Sequence, residues 1–237
     1  MGFFDFLGDD PAYAEKPADI ARLNRRWEFL IAPFGAELEG ARVADIAAHD
    51  GRWAYALAGA GAAEVIGVEA RCEVAARFAR YPRRGFKRRV RIETGDLYRW
   101  LSDRGDAGET FDIVALFGIF YHVMDHFRLL ADVRRLRPKL IIIDSEFILA
   151  DNPMIQLVKE RTDNILNAAP QIEGQEMALK GIPSRAAMER MAEALGYDLE
   201  WLDWSALALE DRAGVQDYFR EGRMRRGTCA LRPARSP

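Results

Sequence analysis

The sequence predicts an α/β fold built on a doubly wound, mostly parallel β-sheet. Five short segments rich in Val and Ile recur between residues 42 and 145, and each is apolar over most of its length. Such runs are typical of strands that are covered on both faces. Segments long enough for a helix separate them, which favours right-handed crossovers between parallel strands. The chain has 237 residues, 49% of them hydrophobic, which is enough for one such domain with a full core.

The chain before the first strand predicts a helix. Pro17 opens this helix, and Pro33 with Gly35 ends it. Its apolar residues recur at helical spacing: Ile20, Leu23, Trp27, Leu30 and Ile31. The five predicted strands then follow at residues 42–47, 64–69, 89–94, 111–117 and 139–145.

The pattern changes after Asp151. Residues 153–168 predict a helix with a proline in its first turn, and residues 169–182 predict a loop or lid. Pro183 and Ser184 then cap a further helix, which ends at Gly196. The stretches YDLEWLDWS and RRGTCALRP are two strand candidates, separated by a polar segment predicted to be helical.

Charge and composition restrict the partners that we expect. A net charge of -3 gives no global case for nucleic acid or an anionic membrane as partner. No segment approaches the roughly 18–20 apolar residues that a membrane span needs, and the N-terminus fits neither a signal peptide nor a myristoylation site. Cys72 and Cys229 are far apart and form no metal-type cluster. We therefore expect a reduced, cytoplasmic protein.

The loop after the first strand argues against a pyrophosphate ligand. Nucleotide-binding loops at this place carry glycines that let the backbone approach a pyrophosphate. Residues 47–51 read Ala-Ala-His-Asp-Gly, so only Gly51 remains. This weakens the alternative of a nicotinamide-dependent reductase, whereas a cofactor without phosphates tolerates Ala47 and His49 at these positions.

Two carboxylates follow the next strands, and cofactors bind at such carboxyl ends in doubly wound sheets. Glu69 ends the second strand and is suited to accept hydrogen bonds from ribose hydroxyls. Asp96 follows the third strand and is suited to accept from an adenine amino group. These two residues, and Asp45 at the end of the first strand, also have ordinary interpretations: Asp45 as a helix cap, Glu69 as a solvated helix start, and Gly95-Asp96 as a turn. Their joint placement on successive strand ends favours the functional interpretation.

Together, VADIAAHDG (residues 43–51), Glu69, Gly95-Asp96 and FDIVALFGIFYHV (residues 111–123) resemble the class I S-adenosylmethionine-dependent methyltransferases. The resemblance implies a Rossmann-like, seven-stranded sheet with an antiparallel last strand, and S-adenosylmethionine as cofactor. It implies that Asp45 and the 47–51 loop face the methionine part, that Glu69 binds the ribose, and that Phe117 and Gly118 line the floor near the sulfonium. Asp96 and Leu97 would frame the adenine. The predicted cofactor-binding residues are Asp45, Ala47, His49, Gly51, Glu69, Ala70, Asp96, Leu97, Phe117 and Gly118.

The predicted catalytic residues are His122 and its neighbour Tyr121, which follow the fourth strand. A hydroxyl or protonated amine needs a base near its operating pH, and histidine is suited to that role. His122 as a positioning or packing residue is the alternative, and Asp144 and Glu146 are other candidate bases. The sequence HVMDH sets two histidines four residues apart, but we expect no metal because Asp125 does not share their helix face.

We predict one domain, 1–237, composed of an N-terminal helical cap (1–38), a cofactor-binding core (39–147), a substrate lid (148–182) and a C-terminal helix with a strand hairpin (183–237). The apolar lid and the aromatic N-terminus favour a small, partly apolar metabolite methylated on O or N. Two alternatives remain. Residues 77–91 contain eight basic residues, which suits a tRNA-modifying methyltransferase, although a solvated surface is the simpler explanation. The second alternative is a catalytically silent binding protein with this fold.

Overall fold

A seven-stranded sheet forms the centre of the computed structural model, which describes residues 2–234. Met1 and residues 235–237 of the predicted domain lie outside this described part. The strand order is β3-β2-β1-β4-β5-β9-β8, and β6 and β7 form a separate two-stranded sheet. The strands are β1 (Arg42–Ile46), β2 (Glu64–Glu69), β3 (Val90–Thr94), β4 (Ile113–Phe117), β5 (Leu140–Ile148), β6 (Ile155–Arg161), β7 (Met177–Pro183), β8 (Tyr197–Trp201) and β9 (Met224–Pro233).

The α-helices lie mainly in the crossovers between strands. They are α1 (Pro17–Leu30), α2 (Gly35–Leu38), α3 (Arg52–Gly59), α4 (Cys72–Ala75), α5 (Leu97–Asp106), α6 (His126–Arg135) and α7 (Arg185–Ala194). Three begin at a capping side chain that accepts a backbone N–H, namely Asp96 for α5, Asp125 for α6 and Ser184 for α7. Short 3-10 turns, among them Trp204–Ala206 and Gln216–Tyr218, occupy the segment between β8 and β9 where a helix was predicted.

The fold class predicted from the sequence is confirmed. Strands β1 to β5 are mutually parallel, whereas β9 runs antiparallel to β5 and to β8. Buried apolar residues alternate between the two faces of the sheet, as the two-residue period of a strand requires. One core packs against α1 and α3, and the other against α5, α6 and α7. The five predicted parallel strands therefore agree with those of the structure to within a few residues at each end.

The helix predicted over residues 153–168 is wrong. Residues 155–161 form β6, which pairs with β7 over seven residues, from Ile155 opposite Pro183 to Arg161 opposite Met177. The predicted loop over residues 169–182 is also partly wrong, since its second half is β7. Along β6, exposed residues alternate with more buried ones, and Ile155 and Leu157 lie on the exposed side. Ile155 and Leu157 thus point away from the protein interior, whereas Val158 lies on the more buried side.

The N-terminal segment packs on the face of the sheet that α3 covers. The Phe4 ring meets Trp53 edge-on, with ring centres 5.1 Å apart, and the Phe6 ring lies 5.1 Å from that of Tyr81. Helix α1 extends from this aromatic cluster across the sheet towards β5 and β9, where Arg26 reaches Asp144. The core therefore includes residues of this segment, namely Phe4, Leu7, Tyr13, Leu23 and Leu30.

Candidate functional site

The loop after β1 keeps the backbone of a glycine-rich loop without two of its glycines. Ala47 has φ +61°, His49 has φ +53° and Gly51 has φ +80°, so every second residue is left-handed. Left-handed backbone favours glycine because a Cβ atom crowds the following carbonyl. The structure therefore places Ala47 and His49 where G-x-G-x-G loops have glycine, in the conformation that glycine adopts most readily.

Side chains from the loop and the N-terminal segment hold this conformation. Arg52 donates from Nε to Asp50 Oδ1 at 2.7 Å and from Nη2 to His49 Nδ1 at 2.5 Å. The Tyr13 hydroxyl donates to Asp50 Oδ2 at 2.6 Å. Burial alone would raise the pKa of Asp50, but the Arg52 guanidinium and the hydrogen bonds outweigh it and hold that pKa well below its usual range. His49 therefore packs within a buried, charge-balanced group.

Asp45 lies fully buried beneath this loop, near the end of β1. Its Oδ2 atom has no hydrogen-bond partner among residues 2–234. Burial raises the pKa of Asp45 to about 7, the backbone of Ala54 opposes the rise, and the nearby carboxylates of Glu69 and Asp50 add to it. Asp45 does not occupy the N-cap position of α3, which Gly51 occupies without a side-chain hydrogen bond.

Glu69 joins the β1 loop to the end of β2. Its Oε2 accepts from the His49 backbone N–H at 2.9 Å, and its Oε1 accepts from the Arg71 backbone N–H at 3.0 Å. A carboxylate oxygen can accept a second hydrogen bond, so each oxygen retains one acceptor position. Ala70, the next residue, is exposed. The Glu69 carboxylate is therefore oriented towards the loop and can accept further hydrogen bonds.

Asp96 follows β3, whose last residue Thr94 is in register with Glu69. It caps α5, because its Oδ1 accepts from the Arg99 backbone N–H at 2.9 Å. Asp96 is exposed and the adjacent Leu97 is partly buried. The helix-cap role accounts for one carboxylate oxygen of Asp96 and leaves the other available at the same sheet edge.

The end of β4 brings aromatic and titratable groups together. Phe117 is buried and packs edge-on against Trp53, with ring centres 5.3 Å apart. Gly118 has φ +90° and turns the chain into the short helix Phe120–His122. The Tyr121 and His122 rings lie 4.1 Å apart. The predicted floor and the predicted catalytic residues are therefore contiguous.

His122 is fixed by a carboxylate that the sequence analysis did not identify. Its Nδ1 lies 2.7 Å from Glu160 Oε1, and Lys180 Nζ lies 2.8 Å from Glu160 Oε2. Burial raises the pKa of Glu160, but hydrogen bonds from His122, Lys180 and the Ala168 backbone N–H outweigh it and lower that pKa to about 2. Glu160 is therefore ionised and orients the imidazole. It was missed because β6 was interpreted as a helix.

Arg71 was also missed, and it fastens the segment between β6 and β7 to the end of β2. Its guanidinium donates to backbone carbonyls of that segment: Thr162, Asn164, Ile165, Asn167 and Ala168, at 2.9–3.4 Å. The only sequence signal was its position two residues after Glu69. The β6–β7 hairpin (residues 155–183) thus contacts both the β2 end through Arg71 and the β4 end through His122.

Asp144 and Glu146, the other candidate bases, have different surroundings. Asp144 is fully buried, and burial, which raises its pKa, is outweighed by Arg226 and Arg26, which lower it. An ionised carboxylate so bound is a poor base. Glu146 is partly exposed and lies 3.7 Å from Arg220. Neither contacts the His122–Glu160 pair among the hydrogen bonds of residues 2–234.

Two open surface cavities lie away from the predicted cofactor residues. One of about 550 Å³ is lined by part of the basic segment, including Arg83, Arg84, Lys87 and Arg88. The other, of about 360 Å³, lies beside Gly40 at the amino ends of β1, β4 and β5. Within residues 2–234 there is no group of three or more His, Cys, Asp or Glu side chains that could hold a metal. No helix of the described chain is long and apolar enough to cross a membrane.

Solved structures similar to this chain include complexes with SAH (S-adenosylhomocysteine) and a methyltransferase. The N-terminal domain of EvdMO1, in the presence of SAH and D-fucose, superposes with a TM-score of 0.63 at 20% identity, covering 93% of this chain and 84% of that one. The DhpI–SAH complex gives 0.56 at 16% identity, covering 98% and 91%. An S-adenosylmethionine-dependent methyltransferase from Mesorhizobium loti gives 0.59 at 14% identity, covering 90% and 99%.

By sequence, no family model and no curated protein matches the chain. At these identities the structural similarity establishes the fold: the chain has the Rossmann-like fold of the class I S-adenosylmethionine-dependent methyltransferases, as the sequence resemblance implied.

Proposed function

We propose that the protein is an S-adenosylmethionine-dependent methyltransferase that acts on a small molecule at O or N. The observation that carries the proposal is the left-handed loop at residues 47–51, bound through the His49 N–H to Glu69 at the end of β2. Asp96 follows the neighbouring strand. A backbone that keeps this shape despite the strain at Ala47 and His49 is consistent with a cofactor that needs the shape and not the glycines.

The residues present fit this cofactor. We assign Glu69 to the ribose hydroxyls, because both its oxygens retain an acceptor position. We assign Asp96 and Leu97 to the adenine, and Asp45 with the 47–51 loop to the methionine part. When bound, S-adenosylmethionine supplies an electrophilic methyl group on its sulfonium. Phe117 and Gly118 border the region where that methyl group would meet its acceptor.

The chain's own residues then position and deprotonate the acceptor. We assign His122 as the base, with Glu160 holding its Nδ1 so that Nε2 is the nitrogen left for the acceptor proton. The ionised Glu160 also stabilises the imidazolium that results. We assign the predicted lid, residues 148–182, to exclusion of water, since its β6–β7 hairpin carries Glu160 and reaches Arg71. The surrounding aromatic rings favour a small acceptor.

Calorimetric titration with S-adenosylhomocysteine tests the cofactor. We expect the wild-type protein to bind, and Glu69→Gln to bind at least ~10-fold more weakly, because a charged acceptor for the ribose is lost. Glu73→Gln, on the exposed side of α4, is the matched control and should bind as the wild type does. Absence of binding by the folded wild-type protein at millimolar ligand would leave the silent binding protein as the better description.

The base assignment needs an acceptor, which mass spectrometry of co-purified material and a screen of small acceptors should supply. His122→Gln should lower turnover by roughly 100-fold or more while leaving affinity for the cofactor product intact. Glu160→Gln should lower turnover less and shift the pH profile, because His122 loses its orienting charge. Unchanged turnover in His122→Gln would make His122 a packing residue.

The tRNA alternative has one observation in its favour, the basic lining of the 550 Å³ cavity. Some of that charge is already used within the protein, since Lys87 donates to the Ala79 and Tyr81 carbonyls and Arg91 pairs with Glu93. A mobility shift with bulk tRNA that disappears on combined Arg83, Arg84 and Arg88 substitution by Ala would favour this alternative. Its absence would favour the small acceptor.

A further inference from the structure

A buried cluster of charges lies where β5 meets β9, outside every residue assigned above. Asp144 is 0% exposed and lies at its centre. Its oxygens accept hydrogen bonds from four side chains: Arg26 Nη2 at 2.8 Å, Arg226 Nε at 2.6 Å, Tyr218 OH at 2.5 Å and Thr228 Oγ1 at 3.0 Å. Arg226 Nη2 lies 2.5 Å from the same carboxylate. One carboxylate is thus the counter-ion of two buried guanidinium groups.

The cluster contains one more positive charge than negative. Arg26 and Arg226 are 8% and 6% exposed, and within residues 2–234 Asp144 is the one carboxylate that forms an ion pair with them. The neighbouring Asp217 is already bound by both Nη atoms of Arg22, at 2.7 and 2.5 Å. Glu146, on the rim, forms an ion pair with Arg220 at 3.7 Å and with no other basic side chain of the described residues.

Buried charges are normally paired, because an unpaired one is costly to desolvate. The Nη1 atoms of Arg26 and Arg226 make no hydrogen bond within residues 2–234. Neither Nη1 atom is among the fully buried atoms that lack a partner, so both remain accessible from solvent. The excess positive charge and these free donors are suited to an anion that enters from that side.

This cluster borders the region assigned to methyl transfer. Arg226 Nη2 is 3.5 Å from the place where a Cβ on Gly118 would lie, and its guanidinium carbon is 5.6 Å from the centre of the Tyr121 ring. The Arg26 guanidinium lies 5.0 Å from the Trp53 ring, which packs on Phe117. The free donors and the proposed floor of the acceptor pocket are thus at the same strand ends.

We infer that the methyl acceptor carries an oxyanion, a carboxylate or a phosphate-type group, that Arg226 and Arg26 bind. The inference rests on the proposed function, since it assumes that the region beside Gly118 receives the acceptor. Guanidinium groups present paired N–H donors that match the two oxygens of such an anion. In this arrangement the anion orients the acceptor, and the hydroxyl or amine that receives the methyl group lies on another part of the same molecule.

Anion binding can be measured without knowing the acceptor. Methylphosphonate, inorganic phosphate, acetate and benzoate are titrated by calorimetry at constant ionic strength, with and without S-adenosylhomocysteine. We expect one chemical class to bind the wild-type protein, and Arg226→Gln to weaken it at least ~10-fold. The class that binds distinguishes a carboxylate from a phosphate-type acceptor. Arg225→Gln, the neighbour on β9 that donates to the Arg220 carbonyl, is the matched control and should bind unchanged.

Two further variants keep the test decisive. If Arg226→Gln fails to fold, Arg226→Lys retains the charge and loses the paired donors, so it should still weaken binding several-fold in protein that circular dichroism shows to be folded. Binding that persists in these variants but disappears on combined Arg83, Arg84 and Arg88 substitution overturns the inference, because the anion then binds the basic segment.

The anion site and the proposed function can fail separately. Wild-type protein that binds S-adenosylhomocysteine but none of the four anions overturns the anion site and leaves the proposed function standing. Anion binding without binding of S-adenosylhomocysteine contradicts the proposed function and, with it, the identity of this anion as a methyl acceptor.

Discussion

At the scale of single residues, the loop after β1 has the backbone conformation of a glycine-rich loop without two of its glycines. Ala47 and His49 hold positive φ values that cost roughly 1–2 kcal/mol each in an L-residue. The Arg52–Asp50 ion pair and the Tyr13 hydroxyl stabilise the same loop from the protein side. Loops with the G-x-G-x-G motif avoid this strain because glycine has no Cβ atom, whereas hydrogen bonds offset the strain in this chain.

Replacing Ala47 by glycine should therefore raise the free energy of unfolding, by up to ~1 kcal/mol, because relief of the left-handed strain exceeds the added unfolded-state entropy. Ala48→Gly is the control. Ala48 has no positive φ and its side chain is buried, so this change should lower stability by about 1 kcal/mol. Urea unfolding measures both. A loss of stability in Ala47→Gly comparable to that in Ala48→Gly would contradict the strain assigned to position 47.

Asp45 predicts a pH dependence of stability. Because burial raises its folded pKa to about 7 from an ordinary value near 3.8, the folded state holds a proton that the unfolded state releases. The contribution of Asp45 is therefore fully present below about pH 4 and is lost as the pH rises through about 7. In the Asp45→Asn variant, the free energy of unfolding should lack this contribution to its decline with pH. Urea unfolding of the wild type and the variant from pH 4 to 8 measures the difference. An unchanged difference across that range would contradict a raised pKa.

At the scale of elements, the sequence predicts the parallel strands well because burial on both faces leaves a simple signal. Segments 64–69 and 111–117 are apolar over most of their length, and the carboxylate of Glu69 at the end of the first is visible in the sequence. The β6–β7 hairpin has no such signal. Its apolar residues, such as Leu157 and Leu179, are exposed, and pairing between strands decides its structure.

The same contrast applies to the candidate site. Residues next to strand ends, such as Glu69 and His122, are predictable because topology brings strand ends together. Glu160 and Arg226 lie within strands and reach the site only through tertiary packing. A charged residue inside a strand otherwise reads as an exposed position, so sequence alone gave no reason to select either one.

Arg71 predicts how the β6–β7 hairpin is held. In Arg71→Ala the hydrogen bonds to carbonyls of residues 162–168 are lost, and the local opening free energy should fall by about 1–3 kcal/mol. Hydrogen exchange at the Thr162 and Ala168 amides, which are hydrogen-bonded in the closed hairpin, should become at least ~5-fold faster. Arg77→Ala is the control and should leave these amides unchanged. Equal protection in both variants would show that β6–β7 pairing alone holds the segment.

At the scale of the whole molecule, distant parts of the chain meet at Asp144. Arg26 comes from α1, Asp144 from β5, and Tyr218 and Arg226 from the C-terminal segment. The N-terminal helix is therefore tied to the strand that ends the parallel sheet and to the strand that runs antiparallel to it. One carboxylate connects the cap, the sheet and the C-terminal hairpin, so its loss should affect global unfolding and not one local segment.

Asp144→Asn should lower the free energy of unfolding by about 3–5 kcal/mol, because two buried guanidinium groups lose their shared counter-charge. Thr228→Val is the matched control: it removes one neutral donor to the same carboxylate and the acceptor of the Trp204 indole N–H, and it should cost about 1–2 kcal/mol. Urea unfolding followed by tryptophan fluorescence and by circular dichroism should give coincident transitions in both variants. If Asp144→Asn costs no more than Thr228→Val, the two arginines are solvated in the folded protein, and their excess charge needs no bound anion.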